Sequence, residues 1–215
     1  MCTWRSIILL LLASLIRISA ADNYQNDFNG ENGILPFGWS MIADEGAPPC
    51  SIQNNDLRCE HGTGFVLLLL DETTDEAENP QQWTDYTITA KFRSSGSALT
   101  GLVARWSATG NYGYHARLKK DGEQYLFELY RIGGPGGSQL LGIPANVPYV
   151  IGQTWTMSLA AIGNTITATL DNKNDEQQAQ ISVNDTTFSS GQPGLRGNPY
   201  KYVSVWESVQ ISMAP

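Results

Sequence analysis

Apolar and polar side chains alternate with a period of two along most of this chain, in short runs separated by Gly, Asn, Asp or Pro. No window keeps a helical period, so the pattern predicts an all-β protein. Tyr86, Ile88, Ala90 and Phe92 alternate with Thr87, Thr89, Lys91 and Arg93, which predicts a strand with one buried and one solvated face. Phe65 to Leu70 is apolar throughout and predicts a buried central strand. Three turn signals then fix registers. Gly163-Asn164 is a type II′ signal that sets Ala161 opposite Ile166, Leu159 opposite Ala168 and Met157 opposite Leu170, leaving Thr156, Ser158, Thr165, Thr167 and Thr169 on the other face. Asn54-Asn55 closes a tight hairpin in which Cys50 lies across from Cys59. Asp121-Gly122 reads as a type I′ turn with φ > 0 at both central residues, so that Lys120 faces Glu123.

That third register sets Tyr114, Ala116 and Leu118 opposite Leu129, Phe127 and Tyr125 on an apolar face, with His115 and Arg117 opposite Glu128 and Leu126 on a polar one. The preceding strand, Leu102 to Trp106, turns its Leu102, Ala104 and Trp106 inward and so places Arg105 beside His115. A row Arg105, His115, Glu128 then crosses three strands, with Arg117 and Tyr130 on the same face. Trp155 and Trp206 also fall on inward phases. Gly133 to Gly142 and Asp171 to Gln178 read as loops, and Val203, Val205, Val209 and Ile211 supply a last strand that pairs near the amino terminus. Strands of this kind, apolar on one side and polar on the other, imply two antiparallel sheets packed as a sandwich.

The first residues change the picture of where the chain works. Arg5, the apolar run Ile7 to Ile16 and the small residues Ser19-Ala20-Ala21 have the layout of a signal peptide over residues 1–21, cleaved after Ala20 or Ala21, which leaves one domain over 22–215. Ten apolar residues are too few to span a bilayer, so no membrane span is expected and the product is secreted, periplasmic or held at the cell surface. In that compartment Cys50 and Cys59 form a disulfide. The net charge of −8, with thirteen basic residues scattered along the chain, argues against nucleic acid as a partner.

Asp27-Phe28 with Trp39, Trp83-Thr84-Asp85-Tyr86, Gly101 to Arg105, Gly152-Gln153-Thr154-Trp155, Gly163 to Ile166, Thr187 to Leu195 and Val205 to Val209 follow one another in an order that resembles the concanavalin A-like lectin/glucanase superfamily. Within it the likeness is to laminin G-like jelly-roll domains. The resemblance implies a jelly-roll sandwich and leaves the activity open, because the superfamily holds lectins, carbohydrate-binding modules, hydrolases, lyases and adhesion domains. It also implies a structural calcium near the first and last strands, where Asp27 and Glu207 match the acidic positions and backbone carbonyls complete the shell.

Hydrolysis on this fold resembles a strand motif of alternating carboxylates, Glu-x-Asp-x-Glu, and the chain lacks it; the acidic run Asp71 to Glu78 has Thr74 at the central position and precedes Pro80. Lyase chemistry needs a basic Tyr or His beside a cation that stabilises an enolate, types that Arg105, His115 and Tyr130 could supply. Arg105, His115, Arg117, Glu128 and Tyr130 read either as cross-strand charge pairs on an exposed face or as a shallow glycan-binding surface, in which planar groups fork to vicinal hydroxyls and the tyrosine faces a pyranose ring. The expected function is a non-catalytic, lectin-like module for a polysaccharide or glycan. A polysaccharide-active enzyme and an extracellular protein-interaction module are the alternatives.

Overall fold

The computed structural model describes residues 24–43, 50–59, 64–70, 83–94, 99–172, 174, 176–198 and 203–214. The expected signal peptide over residues 1–21 and the acidic run Asp71 to Glu78 lie outside them. Fifteen strands, numbered along the chain, form two antiparallel sheets among these residues. Sheet A runs β13 (Gln177–Asn184), β12 (Thr165–Asp171), β11 (Trp155–Ile162), β6 (Tyr86–Ser94), β15 (Ser204–Met213), β4 (Asp56–Cys59) and β3 (Cys50–Gln53), with β1 (Tyr24–Asn26) also paired to β15. Sheet B runs β10 (Gln139–Val147), β9 (Gln124–Ile132), β8 (Tyr112–Asp121), β7 (Leu99–Ser107), β14 (Gln192–Asn198), β5 (Val66–Leu70) and β2 (Trp39–Ala43). The crossovers give a jelly-roll sandwich.

Period-two alternation builds the core between the sheets. Ile88, Ala90 and Phe92 meet Met157, Leu159, Leu170, Trp155 and Trp206 on the inner side of sheet A. Leu68, Leu102, Tyr114, Ala116, Phe127 and Leu195 meet them from sheet B. Two hairpins form as the turn residues dictate. Gly163 (φ 55°) opens the β11–β12 turn, with Met157, Leu159 and Ala161 opposite Leu170, Ala168 and Ile166. Asn54 and Asn55 both take φ > 0 (54° and 63°), and Cys50 pairs with Cys59 across β3 and β4 as a disulfide with Cα atoms 4.2 Å apart. The glycine-rich loop is shorter than the sequence predicts, because Gln139 already begins β10.

Two sequence expectations need correction. The β8–β9 turn is centred on Gly122 and Glu123, with Asp121 opposite Gln124 and Lys120 opposite Tyr125. Gly122 (φ 60°) takes the left-handed corner as the first central residue, so Asp121 stays in the ladder and needs no positive φ. The register moves by two residues and each side chain keeps its face, but the partners change: Arg117 lies opposite Glu128 and His115 opposite Tyr130. The second correction concerns β7. Ala104 pairs with Tyr114 and Ser107 with Tyr112, so one extra residue is inserted at Arg105-Trp106, where Arg105 takes φ 49°. This bulge reverses the alternation, turning Arg105 inward and Trp106 out of the main core.

A candidate glycan-binding face on sheet B

Beyond the bulge, the outer face of sheet B carries a second apolar cluster of Leu67, Leu69, Val103 and Trp106, flanked by the partly buried Ile42, Phe65 and Ile132. The sheet registers align two rows across it. One runs Tyr130, His115, Val103, Gly194, Leu69; the next runs Glu128, Arg117, Gly101, Arg196, Leu67. Arg117 Nε donates to Glu128 Oε2 at 2.7 Å, and its guanidinium carbon lies 4.0 Å from the Tyr130 ring centroid. Glu128 is thereby satisfied while its residue is buried, and the arginine is held over an aromatic face. On the other side of the row, the Arg196 guanidinium lies 4.7 Å from the centroid of Phe65 and 5.2 Å from that of Trp106.

Between the two arginines sits His115. It is buried, and its Nε2 has no hydrogen-bond partner among the described residues. Burial first, and then the positive charges of Arg196 and Arg117, push its pKa well below the usual histidine value, so the imidazole is neutral at pH 7. Gly101 makes room for it, since a Cβ there would fall 2.8 Å from His115 Nε2 and closer still to the Ala116 carbonyl. Trp106 Nε1 is likewise buried and without a partner among the described residues. The face therefore combines an apolar floor, buried polar nitrogens and half-buried planar cations, the materials of a site that binds hydroxylated rings.

Of the five binding residues the sequence suggests, His115, Arg117, Glu128 and Tyr130 share this face, and Arg105 does not. Arg105 is 2% exposed and is spent on structure. Its Nε donates to Thr84 O, Nη1 to Phe188 O, and Nη2 to Asp85 Oδ1 and Gly163 O, all within 3.0 Å. Its backbone N–H donates to Tyr86 Oη, whose hydroxyl in turn donates to Gly191 O. The expected row Arg105, His115, Glu128 and the trio Arg105, His115, Tyr130 are not assembled, because the bulge sends the arginine between the sheets. Arg196, Trp106 and Phe65 belong to the face and escape sequence reading: β14 reaches β7 and β5 without a turn to set the register.

Asp27 and Glu207 lie apart from this face, and each is already engaged. Asp27 is exposed and accepts hydrogen bonds from the backbone and side-chain nitrogens of Asn29. Glu207 is the bulged residue of β15; its Oε1 accepts from Thr154 Oγ1 at 2.7 Å and lies 3.5 Å from Arg93 Nη1. No group of three or more His, Cys, Asp or Glu that could hold a metal ion occurs among the described residues.

No family profile and no curated protein sequence matches this chain. Solved structures match its fold. The CBM2 module of the evolved Dit of Lactobacillus casei BL23 phage J-1 superposes with a TM-score of 0.62 at 12% identity, over 88% of this chain and 94% of that one. Lectin II from Ulex europaeus gives 0.60 at 8% identity, over 88% and 97%. An alginate lyase from Klebsiella pneumoniae gives 0.50 at 12% identity, over 78% and 85%. These likenesses establish the jelly-roll sandwich; a fold shared by a binding module, a lectin and a lyase leaves the activity to be argued from the site.

Proposed function

We propose that this protein is a secreted, non-catalytic carbohydrate-binding domain that takes a glycan on the outer face of sheet B. The observation that carries the reading is the Glu128–Arg117–Tyr130 unit, in which a carboxylate fixes a half-buried guanidinium over an aromatic ring on the outer side of the sheet. Such a unit offers forked donors for vicinal hydroxyls and an apolar edge for a sugar ring. The apolar run at the amino terminus and the Cys50–Cys59 disulfide support export. The lectin and the carbohydrate-binding module of the same fold make a glycan the first ligand to test. The absence from the sequence of an alternating-carboxylate strand motif supports binding without hydrolysis.

A glycan array followed by calorimetry tests this. Tyr130→Ala and Arg117→Ala are each expected to weaken binding about tenfold, equivalent to ~1.4 kcal/mol, with circular dichroism unchanged. Unaltered affinity in both variants would remove the face from recognition. Incubation with the bound polysaccharide is expected to release neither new reducing ends nor unsaturated uronates; either product would make the protein an enzyme.

A further inference from the structure

Asn184-Asp185-Thr186 is the only place in the chain where an asparagine stands two residues before a serine or threonine, and no proline separates the two. Asn184 ends β13, where alternation sends Ala179 and Ile181 into the core and Gln180, Ser182 and Asn184 to the outer face of sheet A. Its side chain is exposed; Oδ1 accepts from Thr165 Oγ1 at 3.2 Å, and Nδ2 has no hydrogen-bond partner among the described residues. Thr186 is also exposed, and its hydroxyl is likewise without a partner among the described residues. Asp185, between them, is turned the other way. Its carboxylate accepts from Tyr114 Oη at 2.8 Å and Arg131 Nη1 at 3.2 Å, and its side chain is 9% exposed. Its backbone N–H donates to Asn164 O at 2.9 Å, which pins the chain just past Asn184. The two groups that N-linked modification needs thus face solvent, while the central charge is neutralised inside.

The surroundings suit an attached sugar. The registers set Asn184 opposite Thr165 and Thr165 opposite the exposed Ile162, and the next pairs, Thr167 with Ser182 and Thr169 with Gln180, are uncharged. Hydroxyls and one apolar side chain therefore lie beside the attachment atom. β13 is also an edge strand of sheet A, and a bulky solvated group at its end would hinder pairing with another chain.

We infer that Asn184 is an N-glycosylation site. The donor is a lipid diphosphate-linked oligosaccharide: Asn184 Nδ2 forms a bond to its anomeric carbon, the bond from that carbon to the diphosphate oxygen breaks, the lipid diphosphate leaves, and the amide gives up one proton to a base of the transferase. The inference rests on export, one part of the proposed function, and is independent of what binds on sheet B; Asn184 stands on the other sheet, so the modification leaves that face open.

Secretion of the full chain from insect cells, followed by peptide N-glycosidase F, tests this. The expected result is a loss of apparent mass in a single step, with Asn184 recovered as aspartate in peptide mass spectra. Asn184→Gln and Thr186→Ala are each expected to abolish the step, whereas Thr186→Ser, which restores the hydroxyl, keeps it. Secreted protein with Asn184 unmodified overturns the inference and leaves export standing, as does a mass step that persists in both Asn184→Gln and Thr186→Ala. A second form, with an insect signal sequence in place of residues 1–21, separates failed export from failed folding. If that form alone is secreted, export by the chain's own leader fails and the inference falls with it.

Discussion

Arg105 shows how a single residue can be read for the wrong task. Its charge and its position in an alternating strand suggest a surface ligand group, but the side chain spends four hydrogen bonds on segments that precede β6, link β11 to β12 and precede β14. The ion pair with Asp85 contributes little, because that carboxylate is 46% exposed; the weight falls on the three carbonyls. Arg105→Ala is expected to lower stability by about 3 kcal/mol in urea denaturation, since those carbonyls lose their donors. A loss below ~1 kcal/mol would show that water takes its place.

His115 gives the residue scale its pH dependence. Its folded-state pKa lies below the unfolded value, so as the pH falls through about 6.5 the unfolded chain gains a proton that the folded chain refuses. Stability therefore declines on acidification, by up to about 1.4 kcal/mol per pH unit from this group, and is insensitive to it above that range. Wild type minus His115→Gln, measured between pH 7.5 and about 5, is expected to carry this slope. Parallel curves would mean that the imidazole titrates normally.

At the scale of elements, what could be read from sequence was what neighbouring residues decide. The Asn54-Asn55 and Gly163-Asn164 turns fix their hairpins to the residue, and the two-residue error at β8–β9 arises because Gly122 can occupy either central position of a tight turn. Phase survives such a slip, which is why His115, Arg117, Glu128 and Tyr130 share the outer face of the sheet. The β7 bulge was not legible, because its cause lies elsewhere in the chain. Gly191 and Gly113 press against it, and a Cβ on Gly191 would fall 2.5 Å from the Arg105 carbonyl carbon. Gly191→Ala (φ 138°) is expected to cost about 2 kcal/mol or more, whereas Gly163→Ala, with nothing within 4 Å, should cost about 1 kcal/mol. Equal costs would mean that the bulge has room to spare.

Across the whole molecule, β15 occupies an unusual place. Among the described residues it follows every other strand in chain order, yet it lies inside sheet A, between β6 and β4, and is also the sole partner of β1 in the ladder. Among the described residues, the disulfide hairpin β3–β4 and the strand β1 therefore join the sheet only through it. During synthesis β6 waits more than one hundred residues for its neighbour, its backbone donors and acceptors open on that side. Until β15 emerges sheet A stays in two parts, and the open side of β6 is the surface at which a holding chaperone would limit aggregation.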